Sequence, residues 1–154
     1  MVCRNLIAVT LAVALAPAAG GTDLVQLDPF AQATAGLAAC APARPRLLTA
    51  QESGAEAHAR SERGTRCGME GTCEPGGAYK RDPEINERVR AAIADDRRFA
   101  DTSVWVTTSR RWATLEGCVR TSTQRRALVR FVAKLPKVER VFDELRVGAR
   151  LAAR

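Results

Sequence analysis

The sequence predicts an α+β fold: a single small domain in the order αββαβ, whose three-stranded sheet carries two helices on one face, preceded by a signal peptide and a disordered tether. Three observations predict it. Residues 103–119 alternate apolar and polar positions on either side of a short break, as a β-hairpin does. Apolar residues recur at helical spacing on both sides of that hairpin, over 82–97 and over 121–135. A last alternating run, 138–147, supplies a third strand.

Asp82-Pro83 has the form of an N-cap followed by proline at the first helical position, where a missing N–H costs nothing. Ile85, Val89 and Ile93 stand at i, i+4 and i+8 with Ala92 beside them, so this helix buries one stripe and is expected to run to about Arg97. Phe99 is expected to plug the bend before Asp101-Thr102. In the hairpin, Val104, Val106 and Thr108 alternate with Ser103, Trp105 and Thr107, and Ala113, Leu115, Gly117 and Val119 alternate with Trp112, Thr114, Glu116 and Cys118. A two-residue loop at Arg110-Arg111 sets Val106 opposite Leu115 and Val104 opposite Gly117, putting both aliphatic sets on one face. Two arginines are poor residues for a tight turn that wants positive φ, yet the period-2 pattern outweighs the loop. Gly117 weakens its strand and is expected where a helix backbone passes close over the sheet.

Thr121-x-x-Gln124 is a capping-box pattern, and Pro136 stops the helix that it opens. Leu128, Phe131, Val132 and Leu135 form its core stripe. Arg126, Arg130, Lys134 and Lys137 follow at spacings of four, four and three, within a sector of about 80° opposite that stripe if the turn continues past Pro136. In the last strand Val141, Leu145 and Val147 share one face, and Phe142, Glu144 and Arg146 the other. Both helices must cover the aliphatic face. The opposite face, with Trp105, Trp112, Phe142 and Cys118, has no remaining element to cover it, so Trp105, Trp112 and Phe142 are interface candidates.

The domain is therefore drawn at residues 82–148, with a frayed tail at 149–154 and a low-complexity, cysteine-containing tether at 20–81 that holds much Ala, Gly, Pro, Arg and Glu. Within the tether LTAQESGAEAHARSER is compatible with a loose helix but has almost no apolar stripe. Arg4 followed by LIAVTLAVALA and the small residues of APAAG has the layout of a secretory signal peptide over 1–19, too short to span a bilayer. Counts of 24 Lys+Arg against 17 Asp+Glu give a formal +7, which suits anionic partners, and export removes nucleic acid from that list. Four cysteines remain after cleavage: Cys40, Cys67, Cys73 and Cys118. Cys67 and Cys73 enclose GMEGT and are the disulfide candidate. The pairing of Cys40 and Cys118 stays open. A zinc site from Cys40, His58, Cys67 and Cys73 has spacings that do not fit common zinc motifs, and LAAC at 37–40 resembles a lipoprotein cleavage box but is separated from the apolar run by Asp23, Gln26, Asp28 and Pro29. His58, the single histidine, sits in a polar stretch with no catalytic partners.

Val104-x-Val106, Leu115-x-Gly117-x-Val119 with Thr121, and Val138-x-x-Val141 with Leu145-x-Val147 together resemble the BON domain, named after bacterial osmotically inducible periplasmic and nodulation proteins. The resemblance covers residues 82–147. Arg110-Arg111 departs from the family's usual Asn-Gly-like turn, and Lys137 stands where a glycine commonly precedes the third strand. The resemblance implies a non-enzymatic periplasmic module without cofactor or metal, whose partners are phospholipid or envelope proteins. The residues agree that no catalytic set is present. Anionic phospholipid is the expected ligand, with Arg126, Arg130, Lys134, Lys137, Arg110 and Arg111 as candidate lipid-binding residues. The alternative is a protein partner or a second copy of the chain docking on the aromatic sheet face.

Overall fold

The computed structural model describes residues 23–148; the expected signal peptide and tail lie outside them. In chain order the elements are β1 (Phe30–Ala35), α1 (Ala50–Met69), α2 (Asp82–Asp95), a 3-10 turn (Arg97–Phe99), β2 (Ser103–Ser109), β3 (Trp112–Val119), α3 (Ser122–Val132) and β4 (Arg140–Val147). They form an α+β fold on one four-stranded sheet in the order β1-β2-β3-β4, with β1, β2 and β3 antiparallel and β4 parallel to β3. The strand count corrects the three-stranded expectation. Phe30–Ala35 lies in the stretch assigned to a disordered tether, yet it pairs with the outer edge of β2 from Phe30↔Thr107 to Ala35↔Ser103. Its FAQATA sequence offers little bulk to bury, so hydrogen-bond geometry and one polar lock, Thr34 Oγ1 to Thr102 Oγ1 at 2.8 Å, hold it where periodicity gives no signal. A buried Asn86 side chain adds a clamp, its Nδ2 lying 3.0 Å from the carbonyls of both Pro29 and Val106.

The tether also contains α1, a helix of 20 residues with none buried. Thr49 and Glu52 cap its start reciprocally. Polar contacts tie it down: Arg60 binds Asp28 at 2.9 Å, and the Arg60 guanidinium lies 4.5 Å from the centre of the Tyr79 ring.

Helices α2 and α3 both cover one sheet face. Ile85, Val89, Ile93, Leu128 and Val132 meet Val104, Val106, Ala113, Leu115, Val119 and Leu145, and Phe99 plugs the bend. The hairpin register is the expected one, with Val106↔Leu115, Val104↔Gly117 and Trp105↔Glu116. Its turn takes the positive φ that the geometry requires, 60° at Arg110 and 63° at Arg111. The compensation comes from Asp82. Its buried carboxylate accepts the Arg110 N–H at 2.6 Å and the Arg111 N–H at 2.7 Å, binding the start of α2 to the hairpin tip. Asp82 is therefore not the cap of α2; it is the first helical residue, and Arg81 before it makes no side-chain cap. Burial pushes the Asp82 carboxyl up, against the pull of those two N–H donors.

Three smaller expectations also change. Helix α2 ends at Asp95, and α3 ends at Val132, beyond which tighter bonds from Lys134 N–H to the Phe131 carbonyl and from Leu135 N–H to the Val132 carbonyl lead to Pro136. Thr121 caps α3 through its hydroxyl, but Gln124 does not close the box: its Oε1 accepts the Arg120 N–H and its Nε2 donates to the Arg98 carbonyl. The atoms closest to Gly117 come from β2 and not from a helix. Its φ is 115°, and the near neighbour is the Ser103 carbonyl oxygen of β2, 2.1 Å from where a Cβ would stand.

Candidate functional site

Arg126 and Arg130 project from α3 on the side away from buried Leu128 and Val132, Lys134 follows in the turn just past the helix, and all three are exposed. Among the described residues none of them is ion-paired, whereas Arg81, Arg88, Arg90 and Arg125 each bind a carboxylate. An amphipathic helix needs a wet face, but it does not need an uncompensated cationic one. Arg98, Ala127, Arg130, Phe131 and Lys134 line a shallow groove of about 230 Å³. Arg98, whose guanidinium is bound to Asp96, stacks over the Phe99 and Phe131 rings at 5.1 and 5.4 Å and completes an aromatic wall at the groove. Sequence spacing could not find Arg98, because the fold and not the α3 period brings it there. Lys137 leaves the helical sector. It lies in the turn into β4 with φ 70°, and its charge adds to the bound Arg81 in holding the Glu74 carboxyl below its usual range.

The hairpin tip forms a second surface. Arg110 lies over the Trp112 ring at 4.8 Å, and Arg140 lies over Trp112 and Phe142 at 5.6 and 5.7 Å. Trp112 and Phe142 meet edge to face with centroids 5.7 Å apart, and Phe142 remains 38% exposed. Arg111 instead turns to Glu139, at 2.7 Å. Arg110, a lipid candidate by charge, thus sits with the aromatic interface candidates, separate from the α3 cations.

Residues 81–149 match the family model described as BON domain. This stretch is a BON domain. No curated protein matches the chain. The BON domain holds α2, α3 and β2 to β4, so β1, α1 and Cys40, Cys67 and Cys73 lie outside the matched stretch. Among the described residues no helix is long and apolar enough to cross a membrane.

What precedes the BON domain alters its open sheet face. Trp105 was expected to be free there, yet it is 7% exposed and packs with Cys40, Cys118, Phe30, Leu37 and Ala43. The chain after β1 folds across it: Gly36 N–H donates to the Thr102 carbonyl at 2.6 Å, Leu37 N–H to Ser103 Oγ at 2.9 Å, and Cys40 is bonded to Cys118. The expected Cys67–Cys73 disulfide is present as well. With both pairs joined, the sulfurs of the zinc alternative are engaged elsewhere and Cys40 carries no free thiol for a lipid anchor. His58 is exposed on α1, 3.4 Å from Glu62.

Half-buried Glu116 and exposed Glu144 are direct partners across the BON strands β3 and β4. Burial first and the Glu144 charge second raise the Glu116 carboxyl, with Arg146 opposing them. A carboxyl with a raised folded-state pKa binds more protons folded than unfolded, so stability falls as pH rises from the unfolded value of about 4.3 through the raised one. Glu116→Gln is therefore expected to raise the melting temperature at pH 7, by on the order of half a kcal/mol after solvent screening, and to give no gain at pH 4. Thermal melts at the two pH values check this; an equal gain at both would trace the effect to packing.

Proposed function

We propose that this chain is an exported, non-enzymatic protein of the bacterial envelope whose BON domain attaches to anionic phospholipid surfaces through the basic face of α3. The observation that carries this reading is the unpaired set Arg126, Arg130 and Lys134 beside a groove walled by Phe131 and Arg98. Cations suit phosphate oxygens, and an aromatic ring beside them suits the glycerol and upper acyl region. Two disulfides fit an oxidising compartment, in line with export. Each cation near an anionic surface contributes about 1 kcal/mol, so three give weak attachment that added salt removes.

The expected result is co-flotation with phosphatidylglycerol or cardiolipin vesicles at low salt, and no more than background with neutral phosphatidylcholine. Arg126→Glu with Arg130→Glu should lower binding more than tenfold, since two charges are reversed. Binding that does not distinguish anionic from neutral vesicles would end this reading. A second reading, docking of an envelope protein or a second copy, is favoured by the Trp112–Phe142 pair, of which Phe142 is exposed and Trp112 half-buried. It predicts that Trp112→Ala with Phe142→Ala removes partner capture while vesicle binding persists.

A further inference from the structure

The two disulfides occupy opposite environments. Cys40 and Cys118 are 7% and 1% exposed, sealed against Trp105 under the cover. Cys67 and Cys73 are half-buried at the end of α1 and open on a groove of about 170 Å³ that Arg110, Arg111, Trp112 and Glu139 also line. This groove is the place where the segment before the BON domain meets the hairpin tip. Thiol–disulfide exchange needs access along the sulfur–sulfur bond and a leaving thiolate that its surroundings stabilise. Only the Cys67–Cys73 bridge has both: its groove is open, and Arg110 lines it as the cation not taken up by Glu139, which binds Arg111. Gly71, with φ 67°, lets the small GMEGT loop close without strain from a side chain.

We propose that Cys67–Cys73 is a thiol–disulfide exchange site for a dithiol partner, while Cys40–Cys118 is a purely structural bond. A partner thiolate attacks the Cys67 sulfur, a mixed disulfide forms, and the Cys67–Cys73 bond breaks with its electron pair leaving on Cys73. Cys67 lies in the last turn of α1, where the helix dipole disfavours negative charge, so Cys73 is the better leaving group. The partner's second thiolate then attacks its own sulfur in the mixed disulfide and releases Cys67. Two electrons pass to the Cys67/Cys73 pair, and the dithiol partner is oxidised to its disulfide. The reverse sequence reoxidises the pair with a partner disulfide.

The test uses the full chain with dithiothreitol as the dithiol, quenching with iodoacetamide at timed intervals and mapping the alkylated peptides by mass. Cys67 and Cys73 are expected to be alkylated at least ten times faster than Cys40 and Cys118, with unchanged circular dichroism. Arg110→Gln is expected to slow that step several-fold while leaving the spectrum unchanged, which mere exposure of the sulfurs would not cause. In Cys73→Ser, stoichiometric oxidised glutathione should form a mixed disulfide at Cys67. Opening of both bridges at one rate, earlier opening of Cys40–Cys118, or an Arg110→Gln rate equal to the parent's would each overturn the assignment.

Discussion

Gly117→Ala should leave the BON domain about 3 to 5 kcal/mol less stable, enough to unfold much of it at ambient temperature. Two costs add. At φ 115° the backbone sits where side-chain-bearing residues are strained by about 1 to 3 kcal/mol. The new Cβ would also stand 2.1 Å from the Ser103 carbonyl oxygen and 3.1 Å from the Trp105 ring. Neither neighbour can retreat cheaply. Ser103 is paired on both sides, to Cys118 and to Ala35, and Trp105 is held under the cover. Urea unfolding checks it: a midpoint within error of the parent's would show that the strand relaxes freely, contrary to the packing described.

The second large effect is expected at the sealed disulfide. The bond joins residues 78 apart, and the chain-entropy relation assigns about 4.5 kcal/mol to closing a loop of that length. Cys40→Ala with Cys118→Ala should therefore lower stability by roughly 3 to 4 kcal/mol, after allowing for structure retained in the unfolded chain. The cover should loosen with it, because past Leu37 the described contacts over Trp105 are this bond, the packing of Ala43, and a bond from Arg146 to the Ala41 carbonyl at 3.3 Å. A red shift of tryptophan emission in the folded variant reports that loosening. Unchanged emission together with an unchanged melting temperature would mean that packing alone holds the cover.

The parts of the fold legible in the sequence are those where burial imposes a period. Ile85, Val89 and Ile93 mark α2 because a helix over a sheet must repeat its apolar residues, and Val104, Val106, Leu115 and Val119 mark the hairpin because a half-buried strand must alternate. β1 was missed for the same reason inverted: Ala31, Ala33 and Thr34 need only to be small and extended, which composition alone does not distinguish from a tether. The turn at Arg110-Arg111 looked wrong locally because its stabilising partner, Asp82, is 28 residues away and itself imitates a helix cap. At the candidate site, the α3 cations could be read from spacing, but Arg98 and the stacking of Arg110 and Arg140 on Trp112 needed the fold. Burial of Trp105 needed the disulfide partner of Cys118, which no spacing reveals.

The strand order has a consequence for how the molecule is made. β1 leaves the ribosome first, yet its partner Thr107 is synthesised long after Phe30, while β2 meets β3 at once through a two-residue turn. Loop closure favours the near pairing, so the hairpin and its two helices assemble around a sheet whose β2 edge stays vacant until β1 returns. For that interval the first strand of any copy fits the vacant edge of any other. Sulfur chemistry then makes the choice permanent: an interchain Cys40–Cys118 bond, visible as a dimer on a non-reducing gel, would be the written record of a strand taken from a neighbour.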